Sequence, residues 1–241
     1  MAGDASLADY WRFHRAVATA QLAAWLPQDP QFLVDISGPH SRCDAQAARA
    51  GHNVLRVNTE PPVTGPRPEP EPGGGLAIVT ADPGNLGFLA ADCADGVIAD
   101  DRTLSRYIAA EYLVAEIARV LKPGGRLLAS VDSLVLGMAI LAEQHHWAEL
   151  SDVPSAEVLL IPWPDGTFTR CYGAAHVRDL CAEAGLEPGL VRPRTVLSPS
   201  MVTRVLDRDS RAMARLVQAE LTANADESVG IQLVVMARKP A

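Results

Sequence analysis

Between Leu7 and Trp25 the positions Leu7, Tyr10, Trp11, His14, Val17, Leu22 and Trp25 recur at helical spacing. They predict an amphipathic helix over 6–26, stopped by Pro27 and Pro30. The short apolar run Phe32–Ile36 reads as a strand, followed by a helix over 42–50, a cap at Gly51 and a second strand over Asn53–Val57. Residues 60–75, EPPVTGPRPEPEPGGG, hold too much proline and glycine for a helix and read as an exposed loop. Strands follow at Leu76–Thr80 and Gly96–Ala99. The run Tyr112–Leu121 sets Leu113, Val114, Ile117, Val120 and Leu121 on one helical face, with Glu111 and Glu116 toward its positive end and Lys122 near its negative end. Lys122-Pro123-Gly124-Gly125 ends that helix, and a fifth strand, Arg126–Val131, begins at once. Downstream the pattern predicts a helix over 134–150 and a hairpin turning at Pro164-Asp165-Gly166. A helix over 174–185 capped by Gly185, a strand around Leu190–Val196, helices over 199–222 and a last strand, Ile231–Lys239, complete it. Strands alternating with helices imply a parallel, doubly wound sheet.

Composition narrows the function classes. The 241 residues suit one α/β domain, and a net charge of −8 with pI near 5.2 argues against nucleic acid or an anionic membrane as partner. No apolar run approaches the roughly 20 residues of a membrane span, and the N-terminus lacks a signal-peptide layout, so a cytoplasmic protein is expected. Cys43, Cys93, Cys171 and Cys181 are scattered and read as reduced thiols. No metal-ligand spacing occurs. His145 and His146 are adjacent, and on a helix they would point about 100° apart.

The stretch AAEYLVAEIARVLKPGGRLLASV, residues 109–131, resembles the middle of the class I, Rossmann-like methyltransferases that use S-adenosylmethionine. The order of segments across residues 30–240 is similar to theirs as well. The resemblance implies an α/β domain over 31–241 with a seven-stranded sheet, mostly parallel with an antiparallel last strand and helices on both faces. Residues 1–30 would then form an N-terminal helical lid. It also implies S-adenosyl-L-methionine as cofactor, held at the carboxyl ends of the first four strands. In the family the first loop reads D/E-x-G-x-G-x-G, and here Asp35-Ile36-Ser37-Gly38-Pro39-His40-Ser41 keeps Asp35 and Gly38 and puts Ser37 for a glycine. Asn58 stands where the family places the acid that accepts both ribose hydroxyls, with Glu60 beyond it, and Asn58 also reads as a plain turn residue. Ala81-Asp82 matches the adenine-binding position, and Asp100, Asp101 and Arg102 would face the methionine end or the substrate mouth.

Methyl transfer to a hydroxyl or amine uses orientation and often a general base, for which histidine is suited. In this fold the N-terminal helix and the region after the fifth strand build the acceptor pocket. That favours His14, His145, His146 and His176 as bases, with Tyr10, Trp11, Trp147, Arg170 and Tyr172 as walls; each histidine also reads as an ordinary surface or half-buried side chain. No Asn-Pro-Pro-Tyr-like motif occurs, so the expected partner is a small-molecule acceptor, and a homodimer is compatible with the chain. Two other readings stay open: the fold used for non-methylating chemistry, or a non-catalytic scaffold without tight cofactor binding. A nicotinamide dehydrogenase is disfavoured because Gly-x-Gly-x-x-Gly is absent after the first strand.

Overall fold

A computed structural model describes residues 2–59, 74–163, 165–223, 226 and 229–241, with side chains from residue 8 onward. The Pro-rich segment therefore lies outside the described residues except at its last two glycines. The elements are α1 (Ala2–Trp25), β1 (Phe32–Asp35), α2 (Cys43–Arg49), β2 (Asn53–Asn58), β3 (Leu76–Thr80), β4 (Ala94–Ala99), α3 (Ala110–Val120) and β5 (Leu121–Ser133). They continue with α4 (Leu134–Glu143), α5 (Trp147–Asp152), β6 (Val158–Pro162), β7 (Phe168–Tyr172) and α6 (Ala174–Glu183). The chain ends with β8 (Glu187–Pro193), α7 (Pro199–Arg208), α8 (Met213–Thr222) and β9 (Gln232–Arg238).

Five parallel strands run in the order β3-β2-β1-β4-β5, with Leu55 beside Ala77, Val34 beside Val97 and Ile98 beside Leu128. On the far side of β5, β9 pairs antiparallel (Leu128 with Met236), and β8 pairs antiparallel with β9. These seven strands are the expected sheet. The β6–β7 hairpin adds two more, β7 lying parallel to the last two residues of β5. A clamp holds it there: Arg102 Nε donates to both oxygens of buried Asp132 at 2.9 and 2.8 Å, and Thr169 Oγ1 donates to Asp132 Oδ2 at 2.6 Å.

Alternation along each strand divides the core into two layers. Leu113, Val114 and Ile117 of α3 and Val177 and Leu180 of α6 cover one face, against Val34, Val97 and Leu127. Trp25 and Leu22 of α1 with Cys43 and Ala47 of α2 cover the other, against Leu33, Val54 and Ile98. The upper part of α1 turns Tyr10, Phe13 and Val17 onto Val202 of α7 and Leu216 of α8.

Two expectations are corrected. The helix over 134–150 is two: α4 ends at Glu143, His145 takes a left-handed conformation (φ 59°), and α5 restarts at Trp147. The fifth strand begins before Pro123, and Gly124 at φ 78° forms the bend inside it while its amide donates to the Lys239 carbonyl at 2.9 Å. Among the described residues no helix is long and apolar enough to cross a membrane.

Candidate functional site

The β1–α2 loop is built around a buried charge. Leu33 and Val54 face the α1–α2 layer, so period two sends Asp35 and Arg56 to the same side. Arg56 Nη1 lies 3.0 Å from Asp35 Oδ1, and both side chains are almost wholly buried. The same oxygen accepts the Ser37 amide at 2.8 Å. Burial pushes the Asp35 carboxyl above its usual range, an effect that Arg56 and Ser37 only partly offset. Arg56 then spends its other hydrogens nearby. Its Nη2 donates to the Ser37 and Gly38 carbonyls at 2.7 and 2.9 Å, and its Nε donates to Asn58 Oδ1 at 2.8 Å.

Gly38 is pressed from above. Its amide donates to the Asp100 carbonyl at 3.0 Å, and the His40 amide donates to Asp101 Oδ2 at 3.2 Å. A Cβ on Gly38 would collide with Asp101 and stand 2.7 Å from Arg106 Nη1, so only glycine allows this approach. At the end of β3, the Ala81 amide donates to the Asn58 carbonyl at 2.9 Å, and Asp82 is exposed. Asp82 Oδ1 accepts the Gly84 amide at 2.8 Å and the Tyr107 hydroxyl at 3.1 Å. Burial, with Asp82 beside it, pushes the Tyr107 hydroxyl up to about 12, so it remains a proton donor to that carboxylate.

At the end of β4, Asp100 forms an ion pair with buried Arg194 and accepts from Cys43 Sγ at 3.7 Å, while its amide donates to Ser37 Oγ at 3.0 Å. Burial alone would raise its carboxyl; Arg194, Ser130, the Asp101 amide and Cys43 outweigh that and hold it below the usual range. Beside it opens a cleft of about 180 Å³, lined by His14, Arg15, His40, Arg42, Asp100, Arg194 and other residues of α1, α2 and β9. Burial and the neighbouring Arg194 lower the His14 pKa to about 4, so His14 is neutral near pH 7, and Gln232 lines the same cleft.

The structure thus gathers Asp35, Ser37, Gly38, Asn58, Ala81, Asp82 and Asp100 at one edge of the sheet. Of the four candidate histidines, only His14 lines this cleft. His145 and His146 are exposed between α4 and α5, and His176 stacks on Tyr172 with ring centroids 5.9 Å apart. Of the proposed walls, Trp147 is exposed. Tyr10 bonds Thr195 at 2.9 Å, Trp11 is exposed, Arg170 donates to Glu111 and to the Ile108 carbonyl, and buried Tyr172 donates to the Leu104 carbonyl at 3.2 Å.

Sequence reasoning missed Arg56, Arg194, Tyr107 and Gln232. A signal for Arg56 was present, since it shares the inward face of β2 with Val54, where a charge needs a buried partner. Arg194 and Gln232 reach the site through pairing at the far end of the chain, which local pattern does not encode.

These positions can be tested against S-adenosylmethionine. At the adenine end the fit is fair, because Asp82 offers an exposed carboxylate fixed by two donors. At the methionine end the group does not fit the loop as folded. The guanidinium of Arg56 holds the loop carbonyls and the Asn58 oxygen, and Asp101 with Arg106 closes over Gly38.

No family model and no curated protein matches the chain. Among solved structures it is similar to the 1,6-didemethyltoxoflavin-N1-methyltransferase of Burkholderia thailandensis, solved with 1,6-didemethyltoxoflavin and S-adenosylhomocysteine. That likeness has TM-score 0.59 and 20% identity over 95% of this chain and 79% of that one. A SAM-dependent methyltransferase of Methanosarcina mazei gives TM-score 0.60 at 14% identity over 91% and 96%. The [4+2]-cyclase SpnF gives TM-score 0.54 at 16% identity over 93% and 80%. At these identities the likeness is one of fold.

Proposed function

We propose that this chain, which has the fold of the class I methyltransferases, is a cytoplasmic S-adenosylmethionine-dependent methyltransferase for a small-molecule acceptor, with α1 as the lid and wall of its acceptor site. The observation that carries the reading is the convergence of the β1, β2, β3 and β4 loops on one edge, with Asp82 presented at β3 and the His14 cleft adjoining Asp100. His14 is the base candidate, because its neutral imidazole is able to accept a proton. The closed methionine end means that binding requires the Arg56 contacts to give way.

Arg56 also favours a second reading, in which the fold persists as a scaffold and an internal guanidinium has taken the cofactor's place. Calorimetric titration with S-adenosylmethionine and S-adenosylhomocysteine separates the two. Saturable binding of either compound supports the enzyme. No heat of binding in a folded protein, together with no protection of β1–α2 loop amides from hydrogen exchange, supports the scaffold.

A further inference from the structure

The cleft beside Asp100 runs against the charge of the molecule. The chain carries net −8, yet three arginines line this one cavity: Arg15 and Arg42 exposed at its rim, and Arg194 buried within. Asp100 answers Arg194, and Asp101, the other lining acid, faces Arg106 at 3.4 Å. Arg15 and Arg42 have no ion-pair partner among the described residues, so positive charge at the rim is uncompensated.

The interior has unmet hydrogen-bonding capacity too. His14 is 9% exposed and Arg194 3%, and neither His14 Nε2 nor Arg194 Nε has a hydrogen-bond partner. Buried polar atoms are normally satisfied, and two unsatisfied ones lining the same cavity mark where a polar ligand can be received. The cavity volume is about 180 Å³, which suits a small ligand.

We propose that this cleft binds the carboxylate of a small organic acid, drawn in by Arg15 and Arg42 and seated against the free Nε of Arg194 beside His14, and that this acid is the acceptor. Naming it the acceptor rests on the methyltransferase reading; the anion site does not. A carboxylate has two sources here, a free acid or the methionine moiety of the cofactor, and the test separates them.

Benzoate serves as probe and benzamide as its neutral isostere, titrated by calorimetry at low ionic strength, where screening is weak. Benzoate should bind saturably with one site, and benzamide at least tenfold more weakly. The Arg15→Ala/Arg42→Ala double variant, both positions being exposed, should keep its circular dichroism and Tm and lose at least tenfold in benzoate affinity. Equal binding of benzoate and benzamide, no binding of benzoate, or wild-type affinity in the double variant would overturn the proposal. So would a double variant that loses S-adenosylhomocysteine affinity while benzoate competes with that compound, because the carboxylate would then be the cofactor's own. Benzoate binding with no S-adenosylhomocysteine binding in the wild type leaves the anion site standing and removes the methyltransferase reading alone.

Discussion

Arg56 and Asp35 show how one pair sets a loop. Breaking a buried ion pair from one side strands the other charge, at a typical cost of about 3–5 kcal/mol. Arg56→Met is therefore expected to destabilise the protein by roughly that amount in urea unfolding, and Arg56→Met/Asp35→Asn to recover part of it, a coupling seen only for residues in contact. Asn58 belongs to the same cluster. Its oxygen accepts from Arg56 Nε, so Asn58→Asp would tighten the clamp around the loop. The expected outcome is a higher urea midpoint with no gain in S-adenosylmethionine affinity. Comparison with the family at this position suggests the opposite, because it shows which residue stands there and not where its oxygen is spent. His14 titrates in the other sense. Its folded pKa of about 4 lies below the ordinary histidine value of 6.5, so the unfolded chain binds the proton more tightly between those pH values. The stability contributed by neutral His14 is thus complete above pH 6.5 and falls as pH drops toward 4, by up to roughly 3 kcal/mol. Tm measured across that window should fall less steeply in His14→Gln than in wild type.

At the scale of elements, the legible parts are those fixed by local chemistry. β3 occupies Leu76–Thr80 as its apolar run predicts, and Gly51, Gly124, Gly166 and Gly185 all take positive φ at the turns where the sequence places them. Gly185 isolates the backbone effect, because a Cβ there would meet nothing within 4 Å while φ is +80°. Gly185→Ala should cost about 1–2 kcal/mol from strain alone, measured by thermal or chemical unfolding. The break between α4 and α5 was not legible. Residues 138–150 have neither glycine nor proline, and tertiary packing decides where the helix stops: Ile140 and Leu141 of α4 pack with Ile161 and Cys171 of the hairpin. The clamp on that hairpin gives another expectation. Arg102→Ala leaves buried Asp132 with Thr169 and without its cation, and should cost about 3 kcal/mol. Loss of hydrogen-exchange protection in β6–β7 ahead of β1–β4 would check it.

For the whole molecule, the parallel early strands and the antiparallel last strand followed from the resemblance carried by the order of segments, whereas the state of the site did not. Topology brings seven expected residues to one edge, and the same packing lets them satisfy each other through Arg56, Tyr107 and Arg194. An enzyme built this way should admit its cofactor slowly. Stopped-flow mixing with S-adenosylhomocysteine is expected to give an association rate below the usual 10⁵–10⁷ M⁻¹s⁻¹, as is typical when binding waits on rearrangement. An ordinary rate would mean that the loop is already open in solution.

The acid-binding cleft has walls from both ends of the chain. His14 and Arg15 come from the first helix, and Arg194 and Gln232 from beyond the eighth strand. On the ribosome, α1 emerges before β8 and β9 and stays without these partners until β9 is made, because domains fold as their chains are completed. Ligand recognition at this cleft therefore waits until β9 has been made. A fragment ending at Thr222 would still carry α1 and β1–β5 but lack Gln232, so it should fail to capture benzoate however much of the sheet it forms.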